Sequence, residues 1–228
     1  MAALARRRVD GFIVTPVRDD QSYLRVHVDR GTPLVCVDRE PHGIEADTVT
    51  TSNVDGARAA VRHLVAQGHR RIAFLCDFER IQTAALRRQG YLDELAAAGL
   101  DADPALVVLG LHDDPSATAA ARRLLALPGP PTANFSSQNL VTIGTIRALQ
   151  QLGLENDVAL VGFDDVETSD LLRPATTTVA QDPDRIGRLA AERLFARING
   201  DTSPPGHLVV PTRLVVRGSG ELPGPGRR

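Results

Sequence analysis

The sequence contains no run of apolar residues that approaches the roughly 20 a transmembrane helix requires. Near the N-terminus, Arg6–Arg8 follow a short apolar stretch, whereas a secretory signal has the reverse order and a longer apolar centre. Only two of the 228 residues are cysteines, Cys36 and Cys76, and both lie at or near the end of a strand-like apolar run. Such positions favour buried, reduced thiols. These features predict a cytoplasmic protein without a membrane segment.

Sequence motifs of catalysis and metal binding are also missing. The chain has no G-x-S-x-G turn, no phosphate-binding P-loop, no G-x-G-x-x-G after a strand and no cluster of cysteine and histidine. Of its six histidines, His63 and His69 are six residues apart, which is not a metal-binding spacing on a helix, and the others are scattered. We therefore expect no catalytic residues, no cofactor and no metal, and predict that the chain is not an enzyme.

The charge of the chain argues against a dedicated nucleic-acid surface. The formal net charge is −2, and acidic and basic residues are interspersed along the sequence. A DNA-binding surface usually appears as a basic domain or stripe, and Arg6–Arg8 is the longest run of basic residues. The sequence as it stands predicts no surface that would hold DNA alone.

Short apolar segments alternate with longer segments of helical periodicity. Most of the strand-like segments are continuously apolar, which is typical of strands covered on both faces. They are Gly11–Thr15, Pro33–Val37, Arg71–Cys76, Leu106–Leu109, Ala133–Ser136 and Val158–Phe163. The helical segments are Val54–Gln67, Thr83–Ala98, Ser116–Ala126, Leu140–Leu152 and Asp184–Asn199. This alternation predicts βαβ units and mostly parallel sheets, an α/β fold.

The C-terminal part of the sequence departs from the alternation. His207–Arg217 is strand-like, and Pro211 interrupts it as an edge or a bend. The segment Gly218–Arg228 is rich in glycine and proline, and we predict that it is disordered.

Polar residues directly follow most of the predicted strands. They include Thr15-Pro16, Asp38-Arg39, Asp77-Phe78, Ser136–Asn139 and Asp164-Asp165. In an open parallel sheet, ligands bind at the carboxyl ends of the strands. The set offers hydrogen-bond donors and acceptors but no nucleophile–base pair, so it indicates a binding site.

Several segments form an ordered succession along the chain. Among them are GHRRIAFL at 68–75, R-x-x-G-Y at 87–91, VGFDD at 161–165 and RLVVR at 213–217. The succession covers nearly the whole chain. It resembles the effector-binding domain of the lactose/galactose-repressor (LacI/GalR) family of transcriptional regulators.

The resemblance implies two Rossmann-like subdomains with parallel sheets, the periplasmic-binding-protein-like type I architecture, with a sugar or related small-molecule effector in the cleft between them. The first subdomain would comprise residues 1–51 and 183–200, and the second residues 52–182 and 201–217. In the family, a helix-turn-helix module, a hinge helix and two βα units precede the segment that matches Arg7. We therefore expect the first subdomain to be incomplete here, and DNA contact to need a missing N-terminal module. The complete protein is expected to be a homodimer whose operator binding the effector controls allosterically.

The same resemblance implies five ligand-binding residues. Asp38, after the strand PLVCV, matches a position that meets polar groups of the ligand. Arg87 matches an arginine that binds ring hydroxyls or an anionic group, and Asp164 matches a carboxylate that accepts hydrogen bonds from sugar hydroxyls. Gln181 lies at a crossing between subdomains. Gln138 departs from the family pattern, which commonly has asparagine there; the longer amide keeps the same donors and acceptor but extends about 1.5 Å further.

Two other functions remain open at this point. The segment ALVGFDDVETSD (159–170) also resembles the phosphoribosyl-pyrophosphate loop of phosphoribosyltransferases, in which Asp164 and Asp165 would bind ribose hydroxyls. Such a loop needs glycine and no negative charge beside the phosphate, and Asp170 stands near that place. Exported sugar-binding proteins of transporters share the fold type, although the sequence contains no signal segment.

Overall fold

The structure is a computed structural model that describes residues 9–17, 20–166 and 168–225. The chain forms two compact units. The first unit comprises Met1–Ser52 and Asp182–Pro211, and the second comprises Asn53–Gln181 and Thr212–Arg228. The chain therefore passes from one unit to the other at residues 52/53, 181/182 and 211/212.

The described residues contain strands and helices in the order expected for an α/β protein. The strands are β1 (Phe12–Val14), β2 (Leu34–Val37), β3 (Asp47–Thr51), β4 (Ile72–Leu75), β5 (Val107–Val108), β6 (Ala133–Ser136), β7 (Ala159–Phe163), β8 (Thr177–Ala180), β9 (His207–Val210) and β10 (Arg213–Val215). The α-helices are α1 (Arg25–Val28), α2 (Asn53–Ala66), α3 (Gln82–Ala97), α4 (Asp114–Leu125), α5 (Asn139–Leu152) and α6 (Pro183–Ile198). No helix of these described ranges is long and apolar enough to cross a membrane.

The first unit is built on a parallel sheet with the strand order β1-β2-β3-β9. Alternation along β2 turns Leu34 and Cys36 to one face of the sheet and Val35 to the other. Leu34 and Cys36 pack with Leu24, just before α1, whereas Val35 packs with Ala190 of α6. The sheet therefore has an apolar layer on each face.

The second unit contains a six-stranded sheet with the order β10-β8-β7-β6-β4-β5. Its strands are parallel except for β10, which runs antiparallel to β8. Phe74 and Phe135 face α2 and α3, and Ala73 and Leu75 face α4 and α5. Both faces of the central strands are thus covered, as their continuous apolar character indicates.

The predicted α/β fold with mainly parallel sheets is confirmed. The strands and helices predicted up to Asn199 are all present, with ends shifted by no more than two residues. The sequence did not predict β3 and β8, which are rich in threonine but buried. Buried strands tolerate threonine because its β-branched side chain fits the sheet and its hydroxyl can donate a hydrogen bond to a nearby carbonyl. Thr51, for example, donates to the carbonyl of Val210 in the neighbouring strand.

The structure corrects the predicted assignment of residues 201–211 to the second subdomain, whereas residues 212–217 belong to the second unit as predicted. Strand β9 pairs in parallel with β3 of the first unit, and β10 pairs with β8 of the second. The strand-like run His207–Arg217, which Pro211 was predicted to interrupt, is therefore two strands in two sheets. Pro211 has no N–H to donate to a ladder, so the pairing with β3 ends before it and the chain leaves the first unit there.

The prediction that Gly218–Arg228 is disordered is wrong for residues 218–225. Ser219 is buried, and its hydroxyl donates to the carbonyl of Leu160 at 2.6 Å and accepts from the N–H of Thr177 at 2.9 Å. Leu222 accepts a hydrogen bond from His69 Nε2 at 2.9 Å. Specific hydrogen bonds to the edge of the core order this segment despite its glycines and prolines. Residues 226–228 lie outside the described part.

Candidate functional site

The candidate site of the second unit lies at the carboxyl ends of parallel strands β4, β6 and β7. These strands are neighbours in the sheet, so their ends share one edge. The residues after them are Cys76–Phe78, Ser137-Gln138 and Asp164-Asp165. Three of the five polar strand ends noted in the sequence therefore lie along one edge of this sheet, which we call the rim, whereas the other two belong to the first unit.

Arg87 of α3 is the central cation of this rim. Its side chain is only 5% exposed. Nε donates to Oδ1 of Asn53 at 2.7 Å, and Nη1 donates to the carbonyl of Ser137 at 2.6 Å. The guanidinium lies 3.7 Å above the ring of Phe163, and Nη1 is 3.7 Å from Oδ2 of Asp164. A charged group is thus held at a fixed orientation in a largely desolvated place, where its hydrogen bonds are strong.

The R-x-x-G-Y motif explains how Arg87 reaches the rim. A Cβ atom at Gly90 would lie 2.4 Å from the carbonyl oxygen of Val54, so only glycine lets α3 approach α2 this closely. The next residue, Tyr91, donates its hydroxyl to the carbonyl of Ile72 at 2.9 Å and stacks on Phe74 with ring centroids 4.8 Å apart. Glycine and tyrosine together fix α3 against α2 and the sheet.

Asp164 adopts a backbone conformation that is uncommon for a residue with a side chain. Its φ is 73°, and its N–H donates to the carbonyl of Val179 in β8 at 3.0 Å. Oδ1 accepts a hydrogen bond from Nε2 of Gln181. The structure therefore brings three of the predicted ligand residues, Arg87, Asp164 and Gln181, to one place.

Asp165, the second acid of the pair, has different surroundings. Arg217 donates to both of its carboxylate oxygens, at 2.7 and 2.9 Å, and Thr178 donates its hydroxyl at 3.1 Å. The hydrogen bonds from Arg217 outweigh burial and hold the pKa of Asp165 below its usual value. The carboxylate of Asp165 is therefore engaged by hydrogen bonds within the protein, and its main partner is Arg217, the last residue of the RLVVR motif.

Gln138 serves as the N-terminal cap of α5. Its Oε1 accepts a hydrogen bond from the N–H of Leu140 at 2.7 Å, which satisfies one of the free donors at the start of that helix. Gln138 is half-buried on the rim, next to Ser137, whose carbonyl holds Arg87. Its predicted role as a ligand residue remains a prediction.

Asp38 lies in the first unit and repeats the local geometry of Asp164. It follows β2, has a φ of 71°, and donates its N–H to the carbonyl of Val49 in β3 at 3.0 Å. Its carboxylate is 3.2 Å from Nε of Arg39 and is 36% exposed. In each unit, an aspartate thus ends a parallel strand in a left-handed conformation with its carboxylate accessible.

Two further residues of the second unit were not predicted to take part in the site. Asn53, the first residue of α2, accepts a hydrogen bond from Arg87 at its Oδ1. His112, which is exposed, has its Nδ1 3.0 Å from both carboxylate oxygens of Asp77 at the end of β4. No sequence signal links these pairs, which are 34 and 35 residues apart.

The rim offers binding groups but no activated nucleophile within the described residues. Burial raises the pKa of the Cys76 thiol to about 11, so it is neutral at pH 7. Cys36 of the first unit has a pKa raised by burial to about 11 as well. Within the described residues, no three or more histidine, cysteine, aspartate or glutamate side chains form a group that could hold a metal ion.

Known proteins resemble this chain along nearly its whole length. The family model of the periplasmic binding protein-like domain matches residues 61–220. The HTH-type transcriptional regulator CelR of Thermobifida fusca is 34% identical over 222 residues, which are 95% of this chain and 65% of that protein. A structure of a CelR–cellobiose complex superposes with a TM-score of 0.86 at 34% identity, over 96% of this chain and 68% of that one.

A LacI family transcriptional regulator from Mycobacterium smegmatis extends the comparison. It superposes with a TM-score of 0.84 at 30% identity, over 97% of this chain and 82% of that chain. The chain belongs to the periplasmic binding protein-like family, in the branch formed by the LacI-type transcriptional regulators. It spans 65% of the length of the full CelR protein.

Proposed function

We propose that this chain is the effector-binding part of a LacI-type DNA-binding transcriptional regulator and that its effector is a sugar or a related polyol. The observation that carries the proposal is the buried Arg87, held on the strand-end rim beside Asp164 and Gln181. The relation to CelR, whose complex with cellobiose is known, supports the choice of a sugar.

The chemistry of the rim matches that of a polyol. Each sugar hydroxyl both donates and accepts, so neighbouring hydroxyls are best satisfied by acceptors and donors placed side by side. Asp164 supplies carboxylate acceptors, and Arg87 and Gln181 carry donors. Hydrogen bonds to charged groups contribute about 1.5–3 kcal/mol each. Asp38 of the first unit and Gln138 are the further ligand residues of the proposal.

The substitution Arg87→Ala tests the site. We expect it to weaken sugar binding by roughly 10- to 100-fold, because one or two charged hydrogen bonds are lost. Calorimetry with cellobiose, glucose and ribose would measure the change. Arg88→Ala is the matched control, since Arg88 pairs with the exposed Glu79 at 2.9 Å. Equal affinities of Arg87→Ala and the unsubstituted chain would refute the assignment.

The proposal includes the setting of the whole regulator. Contact with DNA is made through a helix-turn-helix module outside this chain, the complete protein is a cytoplasmic homodimer without enzymatic activity, and the effector shifts operator affinity by about 5- to 150-fold. This coupling is tested by measuring operator binding, with and without the sugar, for a protein that joins this chain to a helix-turn-helix module and has the length of the CelR protein. An operator affinity that the sugar leaves unchanged would contradict it.

The alternative functions have less support. A phosphoribosyltransferase loop would need Asp165 free to bind ribose hydroxyls, but Arg217 and Thr178 engage its carboxylate. An exported sugar-binding protein would share the architecture, but the identities of 30% or more named above are to transcriptional regulators. Dependence of activity on magnesium and release of pyrophosphate would favour the enzyme.

A further inference from the structure

Asn53 occupies a special place in the chain. The chain enters the second unit at this residue, immediately after Ser52, and Asn53 is also the first residue of α2. Its side chain is buried, and the residue is 2% exposed. Oδ1 accepts the hydrogen bond from Nε of Arg87 at 2.7 Å.

The bond from Arg87 to Asn53 anchors one nitrogen of the guanidinium on α2. A guanidinium is planar, so anchoring two of its nitrogens to partners on different elements fixes both its position and its plane. Nε is anchored by Asn53 on α2, and Nη1 by the carbonyl of Ser137 after β6. Without Asn53, the guanidinium loses its anchor on α2, and its plane can turn away from the ring of Phe163 and from Asp164.

A second observation points in the same direction. Gln181 is the last residue of the second unit before the chain returns to the first, and its amide donates to Asp164. Thus the two charged residues proposed as ligand residues in the second unit are each bonded to a residue at a crossing of the chain: Arg87 to Asn53 and Asp164 to Gln181.

We infer that Asn53 is a positioning residue of the effector site, which orients Arg87 and makes that orientation depend on the conformation of the 52/53 crossing. The part that concerns the effector rests on the proposed function. A ligand that draws Arg87 into a new orientation must strain or break the bond to Asn53. Ligand binding therefore changes the contacts of the residue at which the chain enters the second unit.

A set of substitutions separates positioning from helix capping. Serine and aspartate are both good residues at a helix start. Serine is too short to reach Nε of Arg87, whereas aspartate keeps the acceptor at the same distance. If Asn53 only helps to begin α2, Asn53→Ser and Asn53→Asp should behave alike. If Asn53 positions Arg87, only Asn53→Asp should retain the slow exchange of the Arg87 Nε–H and the sugar affinity. Asn53→Leu removes the acceptor at nearly constant size.

The first readout needs no ligand. In the full 228-residue chain, the Nε–H proton of Arg87 should exchange slowly with solvent. Its exchange is followed by the ¹H–¹⁵N signal of this group, which is assigned by its loss in Arg87→Lys. We expect exchange at least 10-fold faster in Asn53→Ser and Asn53→Leu and slow exchange retained in Asn53→Asp. Thermal melting of Asn53→Ser should confirm that the chain is folded. An unchanged Nε–H signal in folded Asn53→Ser would overturn the inference.

The second readout is sugar affinity by calorimetry with cellobiose, glucose and ribose. We expect Asn53→Ser to weaken binding about 10-fold and Asn53→Asp to restore most of it. If Arg87→Ala weakens binding and Asn53→Ser does not, the positioning role in effector binding is wrong. If neither substitution affects binding, or no sugar binds, the proposed function fails, and the Nε–H exchange still decides whether Asn53 orients Arg87.

Discussion

Two aspartates, Asp38 and Asp164, have positive φ values of 71° and 73°. They are the non-glycine residues with this conformation among the residues that the structure describes. A left-handed conformation costs an L-residue about 1–2 kcal/mol, although aspartate tolerates it better than most. Glycine would fit with less strain but has no carboxylate. Strain kept at the strand end in both units supports a binding role for these two carboxylates.

The two acids of the pair Asp164-Asp165 should respond differently to substitution by asparagine. We expect Asp164→Asn to weaken sugar binding about 10-fold with little loss of stability, because asparagine tolerates the same backbone conformation. We expect Asp165→Asn to retain sugar binding but to lower stability by about 1–3 kcal/mol, since Arg217 loses its charged partner. Calorimetry and thermal unfolding measure the two effects, and the reverse pattern would contradict the assignment of roles.

Asn134 in the middle of β6 is a polar residue in an apolar place. It is fully buried between Ala73 of β4 and Leu160 of β7, and neither Oδ1 nor Nδ2 has a hydrogen-bond partner. Buried polar groups without partners lower stability by about 1–3 kcal/mol each. Asn134 lies below the rim, and nothing in the structure links it to the candidate binding site.

We therefore predict that Asn134→Val stabilises the chain. Valine removes both unpaired groups and suits a buried strand, so the melting temperature should rise by several degrees, about 2–4 °C for each kcal/mol. Asn134→Asp is the control and should destabilise, because it would bury a carboxyl group. A lower melting temperature for Asn134→Val would show that the amide has a partner, such as a buried water.

At the scale of elements, the close contact of α2 and α3 is what builds the rim around Arg87. The contact depends on Gly90, where a Cβ would meet the Val54 carbonyl oxygen at 2.4 Å and Ala57 Cβ at 2.8 Å. It is reinforced at its outer edge by Glu94 of α3, which accepts hydrogen bonds from Arg58 and Arg62 of α2. Backbone proximity and paired charges therefore both hold the two helices together.

Replacement of two helical glycines by alanine should have opposite effects. Gly90→Ala is expected to destabilise by about 1–3 kcal/mol, because a backbone oxygen cannot move away without separating the helices. Gly187→Ala in α6 is the matched control: apart from the neighbouring residues and the nearby backbone of α6 itself, no atom lies within 4 Å of the position that a Cβ would take, and alanine favours a helix by up to about 1 kcal/mol. Denaturant unfolding measures both. Equal effects of the two substitutions would exclude the close contact at Gly90.

At the scale of the whole molecule, each unit contains a buried carboxylate held by two arginines. Asp47 of β3 pairs with Arg193 and Arg197 of α6, at 2.8 and 2.6 Å. Burial acts to raise the pKa of Asp47, but the hydrogen bonds from the arginines and the Gly206 N–H outweigh it, and the pKa is lowered. In the second unit, the hydrogen bond from Arg62 is the largest cause of the lowered pKa of Glu94.

These lowered pKa values predict loss of stability in acid. Because the carboxylates of Asp47, Glu94 and Asp165 bind protons less readily in the folded state, the unfolded chain binds more protons below about pH 4–5. Their contribution is complete above that range and is lost as the pH falls toward their folded-state pKa values. Urea unfolding between pH 7 and pH 3 should show a falling midpoint.

The substitution Asp47→Asn tests the source of this pH dependence. The variant should be less stable than the unsubstituted chain at pH 7, since Arg193 and Arg197 lose their charged partner. It should also lose less stability between pH 5 and pH 3, because one of the titrating groups is gone. An unaltered slope of stability against pH would show that Asp47 does not titrate differently in the two states.

The apolar pattern of the sequence was sufficient to predict most of the elements and the parallel sheets. The secondary structure of continuous apolar runs such as Arg71–Cys76 and of periodic segments such as Val54–Gln67 can be predicted from the local sequence, because strands and helices have different hydrophobic periods. Strands β3 and β8 were missed for the same reason. Their threonines are buried by the elements around them, and local sequence does not record that burial.

The sequence by itself determined the α/β class and the polar strand ends, and it pointed to Arg87 and Asp164, since these depend on local periodicity and on ordered motifs. Only the tertiary structure decided that His207–Val210 and Arg213–Val215 join different sheets and that residues 218–225 are ordered. It also decided that Asp165 is bound by Arg217 while Asp164 stays partly accessible, and that Asn53 is hydrogen-bonded to Arg87. Each of these depends on hydrogen bonds between residues distant in the chain, and such pairs form only once the packed helices and strands have brought them together.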